Sequence, residues 1–168
     1  MYATAADLIA RFDPEEIAQR ADRSLPRRVT GAMLAVAATG GDLTVYTPEE
    51  QAAVAGVLAR VEQAIEEAQS EVDGYVATRY QTPLKPVPLV IARLTCDLAR
   101  YHLYDDQLTE VLEKRHNAAL TVLRDIASGK LSLGTDASGD SAAPSAGGLV
   151  EVAGPERLFA RRTQGGML

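Results

Sequence analysis

The segment from Thr47 to about Tyr80 constrains the fold of this 168-residue chain more than any other. It opens with Thr47-Pro48-Glu49-Glu50, which supplies a capping threonine, a proline at the first helical position and a glutamate three residues after the cap. Apolar residues then recur at alternating steps of four and three, at Val54, Leu58, Val61, Ile65, Ala68, Val72 and Tyr75. This 3.5-residue period predicts one long helix that packs along its length against other helices.

The rest of the first 130 residues also favours helices. Capping residues predict helices that begin after Thr4, Asp13 and Thr109, and the apolar segment from Leu89 to Tyr104 predicts a central, buried helix. Aromatic residues make up only 5% of the chain and tryptophan is absent, so the core depends on small aliphatic side chains. The predicted fold is all-α, a small helical bundle with one long helix and an extended C-terminal arm.

Residues 29–47 allow two interpretations. Met33 to Ala38 can form a short helix capped by Thr30, or one arm of a hairpin. Thr39-Gly40-Gly41-Asp42 predicts a turn, and Leu43 to Tyr46 alternates like a strand. Periodicity cannot separate helix from hairpin over so few residues.

The chain divides into a helical domain, 1–130, and a C-terminal segment, 131–168. From Thr135 to Gly148 the composition is that of a flexible linker, rich in Gly, Ser, Ala and Asp. Apolar and basic residues return after it, and a purely disordered tail has no need of them. We therefore predict a docking arm that contacts another subunit through Leu149, Val150, Val152, Arg157, Phe159, Arg161 and Arg162.

The charge pattern argues against sequence-independent DNA binding. The net charge is −6, whereas such binding requires a basic face. Acidic residues follow the polar side of the long helix, with no basic residue between Arg60 and Arg79: Glu62, Glu66, Glu67, Glu71 and Asp73. Such a pattern is usual for a solvated face, but mutual repulsion also favours a basic partner surface, for which the arginines of another copy's arm are candidates.

Three charged residues share one face of the central helix. Arg93, Asp97 and Arg100 are spaced at i, i+4 and i+7. They are predicted either to pair within the helix, as a solvated face, or to bind a neighbouring subunit.

Residue types that carry catalysis are sparse. His102 and His116 lie on different predicted helices without a metal-ligand spacing, and Cys96 lies among apolar residues. The chain has no phosphate-binding glycine motif and no nucleophile elbow. We predict a protein that is not an enzyme and has no metal or cofactor. The single cysteine and the absence of a long apolar run or signal sequence predict a cytosolic protein without a membrane anchor.

Short motifs in a fixed order give the chain a family resemblance. They are Met1-Tyr2-Ala3-Thr4 with Asp7-Leu8, Asp73-Gly74-Tyr75 with Arg79-Tyr80, Cys96-Asp97-Leu98-Ala99-Arg100-Tyr101, and Leu123-Arg124-Asp125-Ile126 with Gly129. In this order they resemble the Mu-like bacteriophage head–tail joining, or connector, proteins. The resemblance covers about residues 1–22 and 68–134, and the 29–47 connection is longer than the family's, which implies a local insertion.

The resemblance implies a structural role in the virion neck after assembly in the host cytoplasm. Copies are expected to form a homo-oligomeric ring, a dodecamer, below the portal protein, and to contact a tail-proximal neck or tail terminator protein. DNA would pass through the ring without specific binding, and the acidic residues 62–73 would face that channel. The competing hypothesis is a regulatory helical module that binds a partner through its C-terminal segment.

Overall fold

The computed structural model describes residues 1–104 and 108–134. Within these ranges the chain forms helices and no strand, which confirms the all-α prediction. The helices are α1 (Ala5–Arg11), α2 (Pro14–Ala21), α3 (Gly31–Ala38), α4 (Pro48–Val76), α5 (Leu89–Leu103) and α6 (Glu110–Ala127). The predicted C-terminal arm lies outside the described residues.

The predicted helix starts are confirmed by hydrogen bonds at each cap. Thr4, Asp13, Thr47 and Thr109 all accept a backbone N–H of the first helical turn. At Thr47 the cap is reciprocal, because its hydroxyl accepts from the Glu50 amide at 3.3 Å and its own amide donates to the Glu50 carboxylate at 2.9 Å. Such caps satisfy backbone donors that no helical carbonyl can reach.

The helix interpretation of the 29–47 segment is confirmed and the hairpin interpretation is wrong. The Thr30 hydroxyl accepts the Met33 amide at 3.3 Å and starts α3. Leu43 to Tyr46 forms a turn closed by a backbone hydrogen bond of 3.0 Å. The Gly31 amide donates to Glu15 Oε2 at 2.7 Å, and a Cβ at Gly31 would lie 2.5 Å from the Glu15 nitrogen. This close approach of α3 to α2 requires glycine, and with the Thr30 cap it fixes the helix.

The buried side of α4 is broader than the predicted seam. The buried residues are Val54, Val57, Val61, Ala64, Ile65, Ala68, Val72 and Val76. Five of the seven predicted positions are among them, whereas Leu58 and Tyr75 are only half-buried. An α-helix has 3.6 residues per turn, so its buried side drifts from a strict 3.5 repeat. Here α1, α2, α3, α5 and α6 all contact α4, which widens the buried stripe.

Helix α5 is the main partner of α4. Ile91, Leu94, Leu98 and Ala99 are almost fully buried, which confirms that α5 is central. Leu89 at its first position is 89% exposed, so the burial begins two residues later, at Ile91. Helix α6 covers both α4 and α5 and ends before Gly129, which has a φ of +83°. No described helix combines the length and the apolar character that a membrane span requires.

A buried tyrosine joins the first residues to the end of α4. The Tyr2 hydroxyl donates to Asp73 and accepts the Leu84 amide at 3.1 Å. The Tyr2 amide donates to the Gln69 side chain at 3.0 Å. Burial, together with the hydrogen bond to the Asp73 carboxylate, raises the pKa of Tyr2 to about 12. Tyr2 therefore links the N-terminal segment, α4 and the proline-rich connection before α5.

Candidate assembly surfaces

Cys96 is buried in the bundle, and His116 packs against an aromatic ring. Burial raises the pKa of the Cys96 thiol to about 11, so the reactive thiolate is scarce at neutral pH. The His116 ring stacks on Tyr101 at a centroid distance of 3.8 Å, and burial lowers the pKa of His116. Among the described residues, no group of three or more His, Cys, Asp or Glu side chains could hold a metal ion.

The three charged residues predicted to share one face of α5 lie in different surroundings. Asp97 Oδ1 lies 3.5 Å from Arg11 Nε on α1. Arg100 Nη2 lies 2.7 Å from Glu16 Oε1 on α2. Arg93 is exposed and makes no ion pair with any described residue. The predicted intrahelical pairing is therefore not found in the described chain, and the interface role of these three residues stays a prediction.

Arg100 is the centre of a polar link between α5 and α2. Its Nε also donates to Glu16 Oε1 at 2.7 Å, and the Tyr104 hydroxyl donates to the same oxygen. The guanidinium lies 4.7 Å from the centre of the Phe12 ring. Burial alone would lower the pKa of Arg100, but the Glu16 carboxylate raises it above its ordinary value. The Arg100 charge is thus already neutralised within the subunit.

A groove of about 280 Å³ lies where α1, α5 and α6 meet. We call it the arginine groove, because Arg11, Arg93 and Arg115 line it together with a single carboxylate, Asp97. Its apolar lining is Leu94, Ala118, Ala119 and Val122. Like Arg93, Arg115 is exposed and makes no ion pair within the described residues. The groove therefore presents two uncompensated guanidinium groups above a small apolar floor.

Sequence reasoning found Arg93 and Asp97 but missed Arg11 and Arg115. Arg115 could have been found from the sequence. Val111, Arg115, Ala118 and Val122 follow one another at steps of four, three and four, which places them on one face of α6. No comparable signal identifies Arg11, which reaches the groove only because α1 folds back onto α5.

The five acidic residues of α4 lie on two flanks of the helix instead of one stripe. At 100° per residue, Glu62, Glu66 and Asp73 fall within about 40° of one another, and Glu67 and Glu71 lie at least about 100° further round. Consistently, Glu66 and Asp73 line a depression with Met1, whereas Glu67 lines another with Arg23, Arg60 and His102. The second flank is therefore partly balanced by basic side chains.

Most of these acids already have a partner inside the subunit. Asp73 accepts the Tyr2 hydroxyl, and Glu71 Oε2 lies 3.4 Å from His102 Nε2. Glu67 accepts the Gln63 amide at 2.9 Å. Glu62 and Glu66 are exposed and make no ion pair within the described residues. We call Glu62 and Glu66 the acid pair, because they are the two of the five acids with neither an ion pair nor a side-chain hydrogen bond within the described residues.

The predicted contact residues of the C-terminal arm lie outside the described residues. They are Leu149, Val150, Val152, Arg157, Phe159, Arg161 and Arg162. The arm therefore stays a prediction from sequence.

Comparison with known proteins gives consistent matches. The family model described as "Bacteriophage Mu, Gp36" matches residues 2–152. The Mu-like prophage FluMu protein gp36 of Haemophilus influenzae is 33% identical over 110 residues, which are 66% of this chain and 77% of that protein. Gene product J of Escherichia phage Mu is 32% identical over 104 residues, 62% of this chain and 73% of the phage protein. The chain therefore belongs to the Bacteriophage Mu Gp36 family and is a Mu-like phage protein.

Proposed function

We propose that this protein is a head–tail adaptor that forms a ring below the portal and continues the DNA channel toward the tail. Membership in the Mu Gp36 family supports a phage structural or morphogenesis protein. The observation that carries the adaptor proposal is the separation of uncompensated charge, with arginines in one groove and the acid pair on another surface. Two different, complementary surfaces are what a head-to-tail ring requires.

The proposed partners are the portal protein on one side and a tail-proximal neck or tail terminator protein on the other. The ring would be a dodecamer and would occupy the virion neck. The C-terminal arm, 149–162, would dock on a neighbouring subunit or on one of these partners. Its basic and apolar residues support such a contact, since both are typical of interface anchors.

The acidic character of the chain suits a wall around DNA. The net charge of −6 repels the phosphate backbone, so passing DNA would not adhere. Of the five α4 acids predicted to face the channel, Glu71 and Asp73 have partners within the subunit. Outside the acid pair, Glu67 is the exposed member that could contribute to such a lining.

A gene deletion in the phage or prophage tests the proposal. Without the protein, we expect DNA-filled heads and free tails that fail to join, and supplying the wild-type protein should restore infectious particles. Electron microscopy of the restored particles should show the protein as a ring in the neck. Normal joining of heads and tails without the protein would refute the adaptor role. Normal particles with altered phage gene expression would favour the regulatory module instead.

Truncation tests the arm separately. A chain that ends at residue 148 should fold as a bundle, because the described helices end at Ala127, but should enter particles poorly. A chain that ends at residue 162 is the matched control, since it keeps the predicted contact residues. Equal incorporation of the two truncated proteins would show that the arm does not dock.

A further inference from the structure

We propose that the arginine groove of one copy binds the acid pair of the next copy, so that Glu62 and Glu66 of α4 insert between Arg93 and Arg115 of its neighbour. This proposal rests on the proposed ring and identifies the residues of its subunit interface. It also assigns Glu62 and Glu66 to that interface and away from the channel.

The groove carries an excess of positive charge that suits a carboxylate ligand. Arg11, Arg93 and Arg115 lie around one cavity. Within the part of the chain that the structure describes, only Arg11 of the three has an ion pair, a long one of 3.5 Å to Asp97. Guanidinium groups held near one another repel, and carboxylates are the groups that they bind with matched, bidentate geometry. The two arginines without an ion pair equal the two glutamates of the acid pair in number and are opposite to them in charge.

The surface around the acid pair fits a narrow groove. On α4, Ala55 and Ala59 lie within about 60° of Glu62 and Glu66 around the helix, and both alanines are exposed. Small side chains let a helix approach closely, so the two carboxylates can reach the groove walls while the alanines meet the apolar floor. That floor contains Ala118 and Val122.

Other occupants fit less well. The arm of this chain carries Arg157, Arg161 and Arg162 against only Glu151 and Glu156, so its net charge has the same sign as that of the groove. Duplex DNA would meet both Asp97 inside the groove and the net charge of −6 of the whole protein. The acid pair of the same copy does not reach the groove, because no residue of α4 lines it. The acid pair of a second copy is therefore the favoured ligand.

Charge reversal on the two surfaces gives a decisive experiment with the full-length chain. The groove variant is Arg93→Glu with Arg115→Glu, and the flank variant is Glu62→Arg with Glu66→Arg. All four side chains are exposed and unpaired among the described residues, so both variants should fold. Circular dichroism and thermal unfolding verify this before assembly is measured.

Self-association is then measured by analytical ultracentrifugation and native mass spectrometry at low and high salt. We expect the association of the wild type to weaken as salt is added. Each variant alone should associate at least about tenfold more weakly than the wild type. An equimolar mixture of the two variants should recover association, because every groove then meets a flank of opposite charge. A chain that carries all four substitutions should recover it as well. The control is Arg27→Glu with Arg124→Glu. It lowers the net charge by as much as the groove variant does, but at positions outside the groove, and it should associate like the wild type.

The results separate this contact from the adaptor role. Association of both single-surface variants at wild-type strength, or no rescue on mixing, would overturn the contact, as would a wild-type chain still monomeric at about 1 mM. A ring with Glu62 and Glu66 on its channel wall would also overturn it. Binding of labelled duplex DNA that is lost only in the groove variant, while self-association persists, would assign the groove to DNA. A rescued mixture together with normal head–tail joining in the gene deletion would support the contact and refute the adaptor role.

Discussion

Replacing Asp22 with asparagine should destabilise the bundle by roughly 2 kcal/mol at neutral pH. Asp22 follows α2, is almost fully buried and organises the connection to α3. Its carboxylate accepts the Ser24 amide and hydroxyl at 2.8 and 2.6 Å, the Arg28 amide at 2.8 Å and the Val29 amide at 2.9 Å. Asparagine has nearly the same shape, but it loses the charge and turns an N–H group toward one or more of these donors.

The magnitude follows from the pKa of the carboxyl. Burial alone would raise the pKa of Asp22, but the hydrogen bonds from Ser24, Val29 and Arg28 outweigh burial and lower it from 3.8 to about 2. A pKa that is lower in the folded state stabilises that state at pH values above the unfolded pKa. This stabilisation is lost as the pH falls through 3.8 toward about 2. At neutral pH the full difference, roughly 2 kcal/mol, is available.

Urea unfolding followed by circular dichroism measures the effect. The wild type should exceed the asparagine variant in unfolding free energy by a constant amount above about pH 5, and the difference should shrink toward pH 2. Asp42→Asn is the matched control, because Asp42 bonds the Thr44 amide and hydroxyl in a similar turn that is exposed. A loss at Asp22 no larger than at Asp42, or a difference that does not depend on pH, would refute the reasoning.

Three further predictions concern single side chains. Tyr2→Phe should lower the unfolding free energy by about 1–2 kcal/mol, because the buried Leu84 amide loses its acceptor, and urea unfolding should show this loss. Gly74→Ala should stabilise α4 by about 1 kcal/mol and so raise the melting temperature, because an added Cβ meets no atom within 4 Å. An unchanged or lower melting temperature would contradict this. Native Cys96 should react with a thiol reagent far more slowly than the urea-unfolded chain, because it is buried; equal rates would contradict the packing described.

The helices could be predicted from sequence because their signals are local. A cap such as Thr47 with Glu50 involves residues three positions apart, and the apolar repeat of α4 needs no knowledge of its partners. The 29–47 segment stayed open because its outcome depends on a contact outside the segment. The amide of Gly31 meets Glu15 of α2, and no local pattern records that approach.

The candidate surfaces were predicted only in part for the same reason. Arg93 and Asp97 were found together because they share one helix, whereas Arg11 joins them only through tertiary packing. The α4 acids were predicted as one stripe, but spacing alone does not show which flank meets His102 or Tyr2.

The length of α4 has a mechanical consequence. Its 29 residues form a continuous rod of about 43 Å, with the proline start at one end and the Tyr2 link near the other. In a head-to-tail arrangement every subunit would contribute one such rod of the same length, set by residue count alone. The spacing between whatever binds at the two ends would then be fixed by the helical rise, and an insertion or deletion of one turn within α4 would change it by about 5 Å.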